Sequence, residues 1–236
     1  MMNNHDFIPL TASDGSKLEA YIAFPESDQP FPAIILLQEA FGVNSHIRSI
    51  ADRLCAEGFG VIAPDLFHRT AKRIEVAYTD IASVYPILEK ITIDSLSNDL
   101  IACYTWLQQQ ENVNKDKIGS IGFCLGGRVS FLANAILPLA AGVSYYGGGL
   151  DKMGDYANKL HGTHLFFWGG LDTHISTEKI DSILAAVKAA GKDYTSVMIS
   201  YAEHGFNCDE RKSYHPKAAK EAWAHTLAFF RDRLLG

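Results

Sequence analysis

The residues best suited to covalent chemistry lie on a glycine-flanked turn around Cys124. Residues 118–127 read Ile-Gly-Ser-Ile-Gly-Phe-Cys-Leu-Gly-Gly, so an apolar strand runs into the pattern G-x-C-x-G and then into a helix. This is the nucleophile turn G-x-S-x-G with sulfur in place of oxygen. Gly122 and Gly126 leave room for a tight turn, and the helix start favours negative charge on the thiol. Cys124 is therefore the predicted nucleophile; the alternative is a small buried apolar side chain.

Two further residues complete a nucleophile set in the chain order nucleophile, acid, histidine. Asp172 follows one apolar strand and His204 follows the next, so both lie in loops just past strand ends. Glu203 is an alternative partner for His204, although Asp172 fits the strand-end pattern better. His174, two residues beyond Asp172, is expected to be exposed. Taken alone, each of the three residues is weak evidence for a catalytic site. The prediction rests on the order in which Cys124, Asp172 and His204 occur along the chain.

The elements that must position these residues are short apolar runs alternating with longer amphipathic stretches. The predicted strands are residues 17–24, expected to be the first strand and an edge strand, and then 33–38, 60–64, 117–122, 141–146, 164–168 and 194–201. The predicted helices are residues 45–57, with Ser45 as cap and Gly58 as stop, then 96–109, one starting near 125, 177–190 and 217–234. Strands separated by helices pair in parallel through right-handed crossovers. The predicted fold class is α/β, a doubly wound, mostly parallel sheet in a three-layer sandwich with its chemistry at the carboxyl ends of the strands.

The composition of the 236 residues is that of a globular chain, with 47% hydrophobic residues, 20% charged residues and a net charge of −6. The negative charge argues against nucleic acid or an anionic membrane as partner, since both require clustered Lys and Arg. We see no signal peptide or membrane span, and no C-x-x-C pair among Cys55, Cys103, Cys124 and Cys208. We therefore predict one cytoplasmic domain over residues 1–236, a monomer or small homo-oligomer, with an excursion over the active-site face at residues 65–95.

Five short motifs together resemble the dienelactone hydrolase (carboxymethylenebutenolidase) family. They are Gln-Glu-Ala-Phe-Gly at 38–42, Ala-Pro-Asp-Leu-Phe at 63–67, Gly-Phe-Cys-Leu-Gly-Gly at 122–127, Tyr-Tyr-Gly at 145–147 and His-Gly-Phe at 204–206. The resemblance extends roughly from Gly15 to Phe230. It implies an α/β-hydrolase fold and a triad of Cys124, Asp172 and His204. It also implies a small-molecule ester or lactone substrate, with no metal and no organic cofactor.

The same resemblance implies roles for residues around the triad. Glu39 matches a glutamate that hydrogen-bonds the resting thiol and helps to form the thiolate once substrate binds. From the residues alone, Glu39 is a carboxylate directly after an apolar strand, where desolvation favours proton exchange. The backbone amides of Ala40 and Leu125 match the oxyanion hole. The expected substrate-binding residues are Phe41, Tyr145 and Phe206. Tyr145 also fits the alternative of a strand-end aromatic packed in the core.

The arginines depart from the family pattern. The best-known members hold the carboxylate of dienelactone with two arginines, one in the excursion and one shortly after the catalytic histidine. Here the first arginine after His204 is Arg211, and Arg69, Arg73 and Lys90 of the excursion are out of register. A bidentate contact between guanidinium and carboxylate is specific. The reaction class is therefore predicted more firmly than the substrate.

These observations leave two main hypotheses from different classes. The first is a cysteine-dependent ester or lactone hydrolase that works through an acyl-enzyme. The second is a non-hydrolytic small-molecule binding protein or a thiol redox sensor on the same fold, because a thiol that ionises readily is also oxidisable. A receptor has no need of Asp172 or His204, which favours the enzyme. A third possibility, cleavage of carbon–halogen or peptide bonds, lacks an identifiable halide-site tryptophan pair or a peptidase propeller.

Overall fold

The structure, a computed structural model, describes residues 5–236 in two compact units, one ending at Ile118 and the other formed by Gly119–Gly236. The strands are β1 His5–Thr11, β2 Lys17–Ala23, β3 Phe31–Leu37, β4 Gly60–Pro64, β5 Val113–Phe123, β6 Ala141–Tyr145, β7 Thr163–Gly169 and β8 Tyr194–Ile199. The α-helices are α1 Ser45–Ala56, α2 Tyr85–Leu88, α3 Ile93–Gln108, α4 Leu125–Ile136, α5 Thr177–Ala189 and α6 Pro216–Phe230. The single domain over residues 1–236 stays a prediction. Residues 1–4, which this prediction and the signal-peptide prediction also cover, lie outside the described residues.

In the first unit the strand order is β1-β2-β4-β3. β3 and β4 pair in parallel, and both are buried along their whole length. β2 pairs antiparallel with β1 on one side and with β4 on the other. The prediction that β2 is the first strand and an edge strand was therefore wrong. β1 gives a weak strand signal because it does not alternate polar with apolar residues and contains Pro9, a residue that sheets tolerate at an edge.

The excursion after β4 contains little regular structure, namely a 3₁₀ helix at Ile81–Ser83 and the short α2. Asp65, at its start, is buried, and its carboxylate accepts hydrogen bonds from the backbone N–H groups of Phe67 at 2.9 Å and Arg73 at 2.7 Å. α3 begins at Ile93, three residues before the predicted start. Thr92 caps it through a reciprocal hydrogen-bonded box with Ser95.

In the second unit the strand order is β5-β6-β7-β8, and all these strands are parallel. α4 follows β5 and packs on β6, whereas α6 follows β8 and packs on β7. The predicted α/β class with a mostly parallel sheet is confirmed. Parallel strands bring their carboxyl ends to one edge, and the residues that follow β5, β7 and β8 include Cys124, Asp172 and His204.

Two local features differ from the predictions. The cap of α1 is Asn44, whose side chain accepts from the Ile47 N–H at 3.2 Å, and Ser45 is the first helical residue. Both residue types cap helices well, so their order in the sequence does not select between them. A 3₁₀ helix at Leu150–Lys159 was not predicted. Within residues 5–236, no helix combines the length and the apolar character needed to cross a membrane.

Candidate active site

Cys124 lies on the turn between β5 and α4 with backbone angles that residues bearing a side chain rarely adopt. Its φ of 53° and ψ of −111° are a strained combination that the surrounding structure must hold. The Cys124 N–H donates to the carbonyl oxygen of Tyr145 at 3.0 Å, which fastens the turn to β6. A Cβ atom on Gly122 would overlap the carbonyl oxygen of Gly126, so glycine is required for this close approach of strand and helix. The turn holds a partly exposed thiol at the end of β5.

Asp172 and His204 follow β7 and β8, whose loops lie directly against each other. The Gly170 N–H donates to the carbonyl oxygen of Ile199 at 2.8 Å. A Cβ atom on Gly170 would come within 2.5 Å of the Cα atom of Ser200, which leaves no room for a larger residue. These contacts bring the acid and the histidine of two separate loops into one place.

The three predicted residues form one hydrogen-bonded chain within the second unit. His204 Nε2 lies 3.1 Å from Cys124 Sγ, and His204 Nδ1 lies 2.7 Å from Asp172 Oδ2. Because the carboxylate only accepts, Nδ1 carries a proton and donates it, which leaves Nε2 to exchange a proton with the thiol. Glu203, the alternative partner, is exposed. A nucleophile beside a base that is oriented by an acid is the arrangement that nucleophilic catalysis requires.

The second oxygen of Asp172 is held by backbone groups that the sequence analysis did not identify. Asp172 Oδ1 accepts from the N–H of His174 at 2.7 Å and from the N–H of Ile175 at 3.1 Å. The side chain of His174 is exposed, as predicted, and its ring centroid is 5.2 Å from that of His204. An aspartate followed by a turn predicts such amide contacts in general, but only the fold shows that they orient this carboxylate.

The electrostatics of the chain favour a charged histidine. Burial opposes the charge on His204, but the hydrogen bonds to Asp172 and Cys124 outweigh it and raise the pKa of His204 to about 10. For Asp172, burial acts to raise the pKa, and the hydrogen bond and the charge of His204 overcome it, so the pKa of Asp172 is lowered. The arrangement is therefore suited to an imidazolium between a carboxylate and a thiolate.

Three predicted site residues, Glu39, Ala40 and Phe41, belong to the first unit. They follow β3 after Gln38 and are buried, with Glu39 fully enclosed. Phe41 packs its ring 4.5 Å from the ring of Tyr78 of the excursion, and its carbonyl oxygen accepts from the Val76 N–H at 3.1 Å. The excursion thus covers the loop after β3. The roles of these three residues stay predictions.

The remaining predicted residues, Leu125, Tyr145 and Phe206, belong to the second unit. Leu125 is the first residue of α4, so its N–H has no acceptor within the helix. Tyr145 is fully buried, and its hydroxyl group lies 2.6 Å from Thr226 Oγ1. This is the arrangement expected for the alternative interpretation, a strand-end aromatic packed in the core. Phe206 is also fully buried. Tyr146, which the sequence analysis did not single out, has a φ of 37° and packs its ring 5.1 Å from that of His204.

The arginines named in the sequence analysis lie in different settings. Arg69 forms ion pairs with Asp14 at 2.7 Å and with Asp99 at 2.8 Å, and Arg73 pairs with Glu19. Both arginines of the excursion are therefore already paired with carboxylates of the protein. The guanidinium group of Arg211 lies against Gly205, the residue after His204.

Comparison with known proteins identifies the family of the chain. The model of the dienelactone hydrolase family matches residues 18–234. The chain belongs to the dienelactone hydrolase family. As a member it is a hydrolase of the ester or lactone type, and the resemblance inferred from the five motifs is confirmed.

Relatives of the chain support the same assignment over most of its length. A Synechocystis protein named "Putative carboxymethylenebutenolidase" is 32% identical over 228 residues, covering 92% of this chain and 93% of the relative. An Escherichia coli K12 protein of the same name is 33% identical, covering 93% of this chain and 84% of the relative. The crystal structure of a Klebsiella pneumoniae protein described as a "Putative Dienelactone Hydrolase" superimposes with a TM-score of 0.83 at 31% identity, covering 95% of this chain and 98% of that chain. The predicted α/β-hydrolase fold is confirmed.

Proposed function

We propose that this dienelactone hydrolase family member cleaves small-molecule esters or lactones through a covalent acyl-enzyme on Cys124. The hydrogen-bonded chain from Cys124 Sγ through His204 to Asp172, with distances of 3.1 and 2.7 Å, carries the proposal. The strained turn supports it, because a thiol kept partly exposed on such a turn has little value for packing.

In the acylation step the thiol proton of Cys124 moves to Nε2 of His204. The sulfur electron pair then forms a bond to the acyl carbon, and the carbonyl π electrons move onto oxygen. The Leu125 N–H is the proposed oxyanion donor in the second unit, because a fixed donor at the start of a helix stabilises developing charge. Ala40 and Glu39 keep the roles that the family resemblance implies for them. When the intermediate collapses, the carbon–oxygen bond breaks and the leaving alkoxide takes the proton from His204.

In the deacylation step His204 removes a proton from water, and the resulting hydroxide bonds to the acyl carbon. The carbonyl π electrons move onto oxygen as the hydroxide adds. They return when the carbon–sulfur bond breaks, and the sulfur takes the proton from His204, so the products are a carboxylic acid and the free thiol. Asp172 keeps His204 in the tautomer that both steps need. A thiol nucleophile must stay reduced, so we further propose that the protein works in the cytoplasm. The predictions of no nucleic-acid or membrane partner and of a monomer or small homo-oligomer stand unchanged.

The test compares wild type with Cys124→Ala on a panel of lactones and aryl esters that includes one dienelactone bearing a carboxylate. We expect kcat/KM of Cys124→Ala to fall by roughly a thousandfold or more, since loss of the nucleophile leaves only residual catalysis. Cys55→Ala is the matched control, because Cys55 is a buried cysteine of the first unit, and it should keep wild-type turnover.

Mass spectrometry of acid-quenched wild type should show the acyl mass on the Cys124 peptide. Equal turnover in wild type and Cys124→Ala would refute the mechanism. Ligand binding without turnover or adduct would instead favour the binding-protein hypothesis.

A further inference from the structure

Tyr146 is a fully buried aromatic residue beside His204 that the proposed mechanism does not use. It follows the last residue of β6, and its φ of 37° lies in the left-handed region, which bulky side chains rarely adopt. Its N–H donates to the carbonyl oxygen of Phe167 at 2.8 Å, which fixes the strained residue to β7. Backbone strain of this kind costs free energy and persists only where the surrounding structure holds it, as functional sites do.

The strained backbone directs the Tyr146 ring toward the loop that carries His204. In a regular strand consecutive side chains point to opposite faces. The rings of Tyr145 and Tyr146 instead both pack against Phe206, with centroid distances of 6.1 and 5.1 Å. The left-handed residue thus breaks the alternation of β6, and its ring also lies 5.1 Å from the His204 ring at a tilt of 60°. These distances are typical of directly packed aromatic rings.

A second ring near His204 offers less restraint. The ring of His174 is 5.2 Å from that of His204, but its side chain is exposed and can move into solvent. Tyr146 is enclosed, its backbone is tied to β7, and its ring packs against Phe206 as well as His204. Of these two neighbours, Tyr146 is therefore the one able to resist a tilt of the imidazole.

The restraint matters most after Cys124 has been acylated. In the free enzyme the imidazole is held at both ends, with Cys124 Sγ 3.1 Å from Nε2 and Asp172 Oδ2 2.7 Å from Nδ1. In the acyl-enzyme the sulfur atom carries the acyl group and no proton, so Nε2 loses its partner. A ring held by a single hydrogen bond at Nδ1 can tilt about that bond, and Nε2 then no longer faces the water that it must deprotonate.

We infer that Tyr146 is a positioning residue that keeps the His204 imidazole in line during deacylation. Its ring supplies, by packing, the restraint that the sulfur atom supplies in the free enzyme, and it takes no part in proton transfer. The inference rests on the proposed acyl-enzyme mechanism. It requires that the ring, rather than the hydroxyl group, carries the role, and that deacylation depends on the ring more than acylation does.

The kinetic test uses para-nitrophenyl acetate, whose good leaving group makes acylation fast, with wild type, Tyr146→Leu and Tyr146→Phe. In Tyr146→Leu we expect kcat to fall by about tenfold or more, and KM should fall by a similar factor because only breakdown of the acyl-enzyme slows. The ratio kcat/KM, which reports acylation, should stay within about threefold of wild type. Acid-quenched samples should show the acetyl group accumulating on the Cys124 peptide. Tyr146→Phe keeps the ring and should retain wild-type kinetics within about twofold.

Phe230→Leu is the matched control, since it removes a fully buried ring at the end of α6. It should lower stability without a parallel fall in kcat and KM. A lower kcat/KM with unchanged KM in Tyr146→Leu would overturn the inference, as would an equal loss in Tyr146→Phe. Tyr146→Met is a second variant without a ring in case Tyr146→Leu does not fold. Failure of both to fold would assign Tyr146 a purely structural role and overturn the inference.

A second measurement needs no turnover and separates the inference from the proposed hydrolysis. Methyl methanethiosulfonate replaces the thiol proton of Cys124 with a methylthio group, so Nε2 loses its sulfur partner as it does in the acyl-enzyme. NMR relaxation of the His204 imidazole should then give an order parameter of about 0.85 in wild type and Tyr146→Phe, and below about 0.6 in Tyr146→Leu. Equal order parameters in Tyr146→Leu and wild type would overturn the inference. Absent turnover with the expected order parameters would refute the hydrolase proposal and leave the restraint by Tyr146 supported.

Discussion

Asp172 acts on His204 through a hydrogen bond and through its charge, and its two oxygens have separate tasks. Oδ2 accepts the proton of His204 Nδ1, while Oδ1 accepts the N–H groups of His174 and Ile175. An asparagine of the same shape would keep its oxygen on the two N–H donors and turn its amide toward Nδ1. The imidazole would then carry its proton on Nε2, facing Cys124, and would be unable to accept the thiol proton.

At the residue scale we therefore predict that Asp172→Asn lowers kcat/KM by roughly a thousandfold or more, with little change in fold. Because the hydrogen bond and the charge of Asp172 both raise the pKa of His204, that pKa should fall below its value of about 10. Nitrogen NMR of the imidazole reports both the tautomer and the titration. Asp181→Asn, an exposed aspartate on α5, is the control. Wild-type activity with an unchanged tautomer in Asp172→Asn would refute the prediction.

At the scale of elements, the join between β5 and α4 depends on close backbone contacts. Gly122 lies against the carbonyl group of Gly126, and a Cβ atom on Gly127 would lie 2.8 Å from the Cα atom of Gly147. Backbone atoms cannot move aside as a flexible side chain can. β5, the turn and α4 are therefore held in fixed positions relative to one another, and the orientation of the Cys124 side chain depends on all three.

We predict that Gly122→Ala lowers the free energy of unfolding by about 1–3 kcal/mol or more, since it overpacks a site bounded by backbone. Turnover should fall further than stability alone explains, because the turn must shift the thiol to make room. Gly148→Ala is the matched control, since a Cβ atom on Gly148 would meet nothing within 4 Å, and its effect should be within about 0.5 kcal/mol. Urea unfolding and ester turnover provide the two measurements. Equal effects of the two substitutions would contradict this explanation.

At the scale of the whole molecule, the response of stability to acid depends in part on a buried histidine outside the triad. His164 on β7 is fully buried, and this burial lowers its pKa from 6.5 to about 3. Ser144 Oγ donates to the Gly127 carbonyl oxygen at 2.6 Å and lies 2.8 Å from His164 Nε2. The Asn134 side-chain amide donates to His164 Nδ1 at 3.2 Å. Because Nδ1 accepts, Nε2 must carry the proton and donate it to the hydroxyl oxygen of Ser144. The ring is therefore neutral, and both of its nitrogen atoms are hydrogen-bonded.

The unfolded chain protonates this histidine below pH 6.5, whereas the folded chain resists protonation down to about pH 3. The stability that His164 contributes is therefore present above pH 6.5 and is lost as the pH falls through that interval, by up to about 4–5 kcal/mol. We predict that His164→Gln, whatever its stability at neutral pH, weakens the dependence of unfolding free energy on pH between 6.5 and 3. His161→Gln changes an exposed histidine and should keep the wild-type dependence. Urea unfolding across this pH range checks the prediction, and equal slopes in His164→Gln and wild type would refute it.

Much of the molecule was predictable from local patterns. Runs of apolar residues predicted β3 and β4, and Gly122 with Gly126 predicted the nucleophile turn. The β1 strand was missed because its pairing with β2, and not its own composition, makes it a strand. Asn44 and Ser45 are both good caps, so only the geometry of the helix start selects Asn44.

The sequence by itself determined the family, the α/β class and the order Cys124, Asp172, His204, because residue type, spacing and periodicity are properties of neighbours along the chain. The tertiary structure decided which groups meet. His204 is 80 positions from Cys124 and 32 from Asp172, and only loop packing brings them to hydrogen-bonding distance. Such contacts follow from the path of the chain through space, which local patterns do not record.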